Sequence, residues 1–229
     1  EAKDSWEAGM ELHAKFTLFS EGTRGSLSKF LIDNFNLSEG KDFQKYAIGL
    51  KEVWEIKEEN FSEGLVEHSM GWPLSDGTNG GSFLYHFDKN LVSIGYVIHL
   101  NYTNPYASPF DEFQQFKTHP SVKKTLIGGK RLSYGARAIT TGGYQSVPKL
   151  NFPGGALIGC SAGFLNYPKI KGTHNAMESG MLAAEAIIEK KLSEDENNDL
   201  ENYQLKYEKS RIFKELKKVR NVKPYQSKY

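Results

Sequence analysis

Cysteine is nearly missing from this sequence: Cys160 is the one thiol in 229 residues. It cannot close an internal disulfide, and alone it cannot hold an iron-sulfur cluster or a structural zinc, which need several thiolate or imidazole ligands. A reducing compartment is the natural reading. Long hydrophobic runs are absent as well. The longest apolar stretch, 91–100, contains Ser93, Gly95 and His99 and falls short of the roughly 18 to 20 apolar residues of a spanning helix. Any membrane contact is therefore expected to be peripheral. An excess of one charge is also lacking, since 29 Lys and Arg face 28 Asp and Glu, and a net charge near +1 exerts no general pull on nucleic acid. The six histidines, His13, His68, His86, His99, His119 and His174, show neither HxxxH nor HxH spacing, which argues against a metal site. Ser161 lies in Cys-Ser-Ala-Gly and not in G-x-S-x-G, and no partner His is identifiable, so nucleophilic catalysis has little support.

What is present is an ordinary globular composition, 38% hydrophobic and 25% charged, with chain enough for a sizeable core in one or two domains. The chain opens at Glu1 without methionine or leader and reaches an apolar strand pattern at 15–19, so a fragment boundary is expected there. The turn Ser20-Glu-Gly-Thr-Arg-Gly25 follows, then Leu27, Phe30, Leu31 and Phe35 at helical spacing. Between 46 and 100, aromatic and β-branched residues predominate, and Phe83, Tyr85 and Phe87 alternate with Ser82, Leu84 and His86. That predicts an antiparallel sheet. Ser108-Pro-Phe-Asp111 starts a short helix, which Pro120 is expected to stop.

Beyond Arg131 the chain is glycine-rich up to 151–155, and 156–158 reads as a buried strand ending on Gly159. Met177, Met181, Ala184 and Ile188 mark one helical face, and 193–199 reads as an acidic surface linker. Leu200, Tyr203, Tyr207, Ile212, Leu216 and Val219 then describe one or two amphipathic helices rich in lysine. The basic stretch 209–218 is read either as a plain surface helix or as one lying on an anionic membrane.

The stretch 152–185, FPGGALIGCSAGFLNYPKIKGTHNAMESGMLAAE, carries the chemistry. A short strand, a glycine-serine loop, a proline, a second glycine and a helix start bring backbone amides close to an electron-rich ligand edge, because glycine leaves the approach open. A strand-loop-helix connection without a ligand is the bland alternative. Flavin hydroxylases commonly have Gly-Asp-Ala here, whereas this chain has Gly159-Cys160-Ser161. Cys160 follows a buried strand with no neighbouring base and reads as a small packed residue.

That variant, with Pro168 and Lys-Ile-Lys-Gly-Thr-His174, resembles the electron transfer flavoprotein:ubiquinone oxidoreductase family. The resemblance runs in order through Gly9-Met-Glu-Leu-His-Ala-Lys15, Ile48-Gly-Leu-Lys-Glu52, Gly71-Trp-Pro73, Gly80-Gly-Ser-Phe-Leu-Tyr-His86, Asn104-Pro-Tyr106, Gly129-Lys-Arg131, Tyr134-Gly-Ala-Arg-Ala138 and Gln145-Ser-Val-Pro-Lys-Leu150. It implies an α/β (α+β mixed) two-domain flavoprotein fold in which a partial FAD domain surrounds a mainly antiparallel quinone-binding sheet. The implied boundaries are 1–36 and 131–192 for the FAD part, 37–130 for the quinone part, and 193–229 for a helical segment leading to an iron-sulfur domain.

In such an enzyme FAD and a [4Fe-4S] cluster pass electrons from electron transfer flavoprotein to ubiquinone at a membrane surface, and the cofactors carry the chemistry. The resemblance assigns FAD contacts to Glu21, Gly22, Arg24, Gly159, Cys160, Gly163, Asn166, Gly172, Thr173 and Asn175, and quinone contacts to Gly80 and Gly81, whose backbone would meet a quinone carbonyl. In the turn at 20–25, Glu21 stands for the usual Asp and Gly25 for the usual Ser. No G-x-G-x-x-G fingerprint and no cysteine-rich stretch is found in these residues, so the isolated stretch is expected to be inactive. A bacterial cytoplasmic membrane is the favoured setting, or the matrix side of the mitochondrial inner membrane in a eukaryote. A non-catalytic flavoprotein-like binding module, or a FixC or carotenoid-type flavin oxidoreductase, is the alternative.

Overall fold

The computed structural model of the chain describes residues 5–75, 77–192 and 198–226; the linker expected at 193–199 and Asp76, ahead of the Gly77 turn, lie wholly or mostly outside them. Two sheets organise the fold. β1 (Thr17–Phe19) runs parallel to β8 (Gly155–Leu157), which pairs antiparallel with β7 (Asn151–Phe152). The larger sheet is antiparallel throughout, in the order β3-β4-β5-β2-β6, formed by β2 (Tyr46–Glu55), β3 (Val66–Met70), β4 (Gly80–Phe87), β5 (Leu91–His99) and β6 (Lys130–Thr140). The helices are α1 (Ser26–Asn34), α2 (Pro109–Lys117), α3 (Pro120–Leu126), α4 (Thr173–Leu192), α5 (Glu201–Lys209), α6 (Arg211–Val219) and α7 (Val222–Gln226). The result is the mixed α/β architecture expected.

Period-2 alternation decides which face of the large sheet is buried. Leu84, Val92, Ile94, Tyr96 and Ile98 point into a core closed by Phe113 and Phe116 of α2 and Val122 and Leu126 of α3. Each such side chain, fully buried, contributes about 1.5–3 kcal/mol. The same layer contains a buried carboxylate. Glu52 is 3% exposed; it accepts from Lys117 Nζ at 2.9 and 3.0 Å, from Arg131 at 3.2 Å and from the Trp54 indole at 2.8 Å. It thereby ties β2 to α2 and to β6.

The second core gathers Phe152, Ala156 and Leu157 with Phe164, Ala183, Ala186, Tyr203, Tyr207, Ile212 and Leu216. Residues from both ends of the chain pack around the small sheet, because β1 must lie beside β8 for its edge to be paired.

Four expectations change. Pro120 does not merely end a helix: it occupies the first position of α3, where its missing N–H costs nothing. The glycine-rich stretch after Arg131 is the strand β6, pairing with β2 as far as Thr140, so the sheet extends beyond the boundary placed at 130. On α4 the face marked by Met177, Met181 and Ile188 is exposed, at 59–67%, while Asn175, Ser179, Ala183 and Ala186 are buried. Small side chains let the helix approach its neighbours closely, and that outweighs the pull of the larger ones. On α1, likewise, Leu27 and Phe30 are exposed while Leu31 and Ile32 reach the core.

Candidate functional site

One face of the large sheet packs on α2 and α3; the other turns toward the loop 165–170. Cross-strand rows place Met70, Gly81, Val97, Gly49 and Arg137 side by side, and His99, Ala47 and Ile139 in the next row. Between this face and the loop lies a cavity of about 320 Å³, walled by Gly81, Val97, His99 and Ile139 and roofed by Tyr167 and Ile170. Gly80 and Gly81 both border it.

Their backbone, however, already has partners. The Gly80 carbonyl accepts from the Gly71 N–H at 3.3 Å, and Gly81 pairs with Val97 and Met70 in the two ladders. A Cβ on Gly80 would lie 2.7 Å from the Val97 carbonyl oxygen, and one on Gly81 2.6 Å from that of Ser69. Glycine is needed here first for close strand approach. The cavity floor benefits from the missing side chains.

The roof is held from α6. The backbones of Asn166 and Lys171 bond reciprocally at 2.9 and 3.3 Å, while Asn166 Nδ2 donates to Glu215 at 2.6 Å and His174 Nε2 lies 3.1 Å from the same carboxylate. Desolvation pushes the Glu215 pKa up, but the Asn166 and His174 hydrogen bonds and the charges of His174 and Lys169 outweigh it and leave the group below the ordinary carboxylate value. Lys171 reaches the sheet, its ammonium 5.5 Å from the Tyr85 ring centroid.

A second cavity, also about 320 Å³, opens where the two sheets meet. Gly22, at φ +88°, Arg24, Tyr46, Thr140 and Ser161 line it. The Arg24 guanidinium lies 5.6 Å from the Tyr46 ring centroid, and the Thr23 hydroxyl donates to the Ala138 carbonyl at 2.8 Å, stitching the turn to β6. Thr140 Oγ1 is buried without a hydrogen-bond partner. A cation beside an orphaned hydroxyl suits a ligand carrying both anionic and hydroxyl groups.

Glu21 does not face this cavity. Its carboxylate turns back to the start of α1, accepting from the Ser28 N–H at 2.5 Å and the Ser28 hydroxyl at 2.6 Å; the hydroxyl bond leads the causes that lower its pKa. A Cβ on residue 25 would lie 2.2 Å from that of Glu21, so the two departures from the usual pattern, Glu21 and Gly25, accommodate each other.

The remaining predicted residues form the frame. Gly159 and Gly163 take positive φ in the turn 159–163, and the Gly159 N–H donates to Ser179 Oγ at 2.9 Å. Gly172 packs near Leu165, Asn175 donates to the Phe164 carbonyl at 2.9 Å, and Thr173 is exposed at the start of α4. Thus Gly22 and Arg24 share one cavity, Gly80 and Gly81 another, and Asn166 and Asn175 hold the loop together from inside. Burial raises the Cys160 thiol pKa. Alkylation at pH 7.5 is accordingly expected to be slower than that of a free thiol; a rate equal to or above the free-thiol rate, measured by mass spectrometry, would contradict the packed assignment.

Residues 46–139 match the ubiquinone-binding family model of ETF-QO. Over 97% of its length the chain is 52% identical to the mitochondrial electron transfer flavoprotein-ubiquinone oxidoreductase of Rattus norvegicus. The chain is similar to one segment of these oxidoreductases. The Caenorhabditis elegans relative is 53% identical over 97% of the chain, and a probable mitochondrial counterpart in Saccharomyces cerevisiae 49%. The chain spans 37% of the rat protein and 38% of the other two.

Among solved structures, a geranylgeranyl bacteriochlorophyll reductase-like protein of Thermoplasma acidophilum superposes with a TM-score of 0.71 over 94% of the chain and 51% of its own, at 16% identity. A triple mutant of the flavin-dependent brominase Bmp2 gives 0.56 over 95% of this chain and 57% of its own, at 15%. These two show the fold. The ETF-QO match begins with β2 and ends in β6, so it takes in the sheet face that floors the first cavity. Sequence reading had not singled out Val97, His99 and Ile139, nor Tyr46 and Thr140, because pairing registers and not local motifs bring them together.

Proposed function

We propose that this chain contributes the quinone-binding sheet and part of the flavin site of an electron transfer flavoprotein-ubiquinone oxidoreductase, which passes electrons from electron transfer flavoprotein to ubiquinone. The observation that carries the reading is the cavity between the Gly81–Val97 face and the loop 165–170: a mainly apolar floor under a loop that follows the turn 159–163 and leads into α4. A quinone head is a flat neutral ring, and this floor has glycine where a side chain would obstruct it.

The second cavity fits the hydroxylated and phosphate-bearing stretch of FAD. Arg24 would balance a phosphate, Thr140 Oγ1 would gain the partner it lacks, and Gly22 leaves its backbone open to the ligand. Bound there, FAD would supply the electrons for quinone. The chain's own residues orient the ring on the sheet and exclude water from beneath the loop. A [4Fe-4S] cluster would need thiolates from beyond this stretch, since Cys160 cannot supply a set. In this reading the quinone part is the sheet up to Thr140, and the flavin part is 1–36 with 141–192.

No helix among the described residues is long and apolar enough to cross a membrane, which fits peripheral association. The mitochondrial names of the relatives favour the matrix side of the inner membrane over a bacterial membrane.

Filling the cavity tests the assignment. Val97→Trp projects into it without altering the backbone, and in the intact cofactor-loaded enzyme it is expected to raise the KM for a short-chain ubiquinone by about tenfold or more, the equivalent of about 1.4 kcal/mol, while flavin reduction by the donor is unchanged. Unchanged quinone kinetics would sink the reading.

A further inference from the structure

Resting on that reading, we infer that His99 is the side chain of the cavity that hydrogen-bonds an oxygen of the quinone ring. His99 closes β5 and is 3% exposed, yet it borders the cavity. Its backbone N–H is fixed to the Asn79 carbonyl at 3.0 Å. Its ring meets Tyr167 edge-on, centroids 5.3 Å apart at 85°, and the Lys223 ammonium lies 5.4 Å from the Tyr167 centroid. The imidazole is therefore held at the seam between sheet and loop.

Register gives its position relative to the floor. Gly81 pairs with Val97, and His99 lies two residues further along β5 on the same face, a diagonal neighbour at about 7–8 Å. A ring lying over Gly81 and Val97 would present one edge to His99. Among the described residues, neither ring nitrogen of His99 has a hydrogen-bond partner in the protein. His99 is not among the residues whose polar atoms are sealed off without a partner, so its ring nitrogens open onto the cavity, where a ligand oxygen can take the place of water as their partner.

The charges around it favour the neutral form. Lys45 and Lys223 act on His99, Tyr167 lies against it, and His68 and Lys169 border the same cavity. Burial, with the two lysine charges, lowers the His99 pKa to about 4, so the imidazole is neutral at physiological pH. A neutral imidazole has one N–H donor and one nitrogen acceptor. It can donate to a quinone carbonyl and accept from a hydroquinone hydroxyl, and so can bind both the oxidised and the reduced ring.

The test uses the full-length, cofactor-loaded protein with a water-soluble short-chain ubiquinone, reading affinity by calorimetry and quinone KM by turnover. His99→Phe keeps the volume and the edge contact but has no polar atom; it is expected to weaken binding about tenfold. His99→Gln is expected to stay within about threefold of the parent, and neither change should alter flavin reduction by the donor or the melting temperature. Parent-like affinity in His99→Phe, with Val97→Trp still defective, would overturn the role of His99 and leave the cavity assignment standing. Normal binding in both variants, or no binding by the parent, would overturn the cavity assignment and this inference with it. Equal losses in Phe and Gln, accompanied by a lower melting temperature, would mean a structural role and would also overturn it. Should His99→Phe fail to fold, the His99 ring nitrogen resonance of labelled parent protein must shift on quinone addition, and an unmoved resonance counts against the assignment.

Discussion

Glu52→Ala is expected to destabilise the fold by about 3–5 kcal/mol, the usual consequence of removing one partner from a buried charge cluster. The carboxylate is 3% exposed, and the Lys117 side chain that faces it only 13%, so truncation leaves an ammonium in the core with only the rings of Phe113 and Trp54, 5.0 and 5.5 Å away, to favour it. Arg131 is 45% exposed and can turn to water, which makes the Lys117 half of the cluster dominate the loss. The double variant Glu52→Ala with Lys117→Met is expected to regain much of the stability, because no buried charge then lacks its partner. Urea unfolding of the single and double variants reads both effects. If Glu52→Ala lost less than about 1 kcal/mol, the carboxylate would be acting as a surface pair does.

Leu216→Ala is expected to destabilise by about 2–5 kcal/mol, as large-to-small changes in packed cores do. Leu216 has no solvent exposure and shares its core with Tyr203, Tyr207 and Ile212. This bears on the basic helix read from the sequence, whose two candidate roles were surface helix and membrane-surface helix. Ile212 and Leu216 spend the apolar stripe of α6 inside the protein, and Phe213 packs against Tyr144 and Tyr207, with centroids 5.3 and 5.6 Å apart. Little apolar surface remains on α6 for lipid. A Leu216→Ala variant of parent stability that no longer bound anionic vesicles would reverse this conclusion. Glu215, next in the chain, holds Asn166, so the same substitution is expected to loosen the cavity roof as well.

Much of the architecture was legible because it depends on local signals. Alternation over 82–87 marked the strand that became β4, Ser108 with Pro109 marked the start of α2, and the spacing of Tyr203, Tyr207, Ile212 and Leu216 marked the buried side of α5 and α6. The misreadings came where one local signal serves two structures. Pro120 ends one helix and begins the next, and a glycine-bearing stretch such as 131–140 extends as a strand only once β2 supplies its ladder. On α4 the large apolar residues suggested the wrong face, since close packing selected Ala183, Ala186 and Ser179 instead.

By itself, the sequence determined the family resemblance, the kinds of element and the glycine-bearing turns at 20–25 and 159–163, because each resides in contiguous residues. Tertiary structure alone decided that Gly81, Val97, His99 and Ile139 share one sheet face, that Arg24, Tyr46 and Thr140 line one cavity, and that Glu215 reaches back to Asn166. Those groupings join positions far apart in the chain, and strand register, which a shift of one residue would invert, sets which side chains face the cavity.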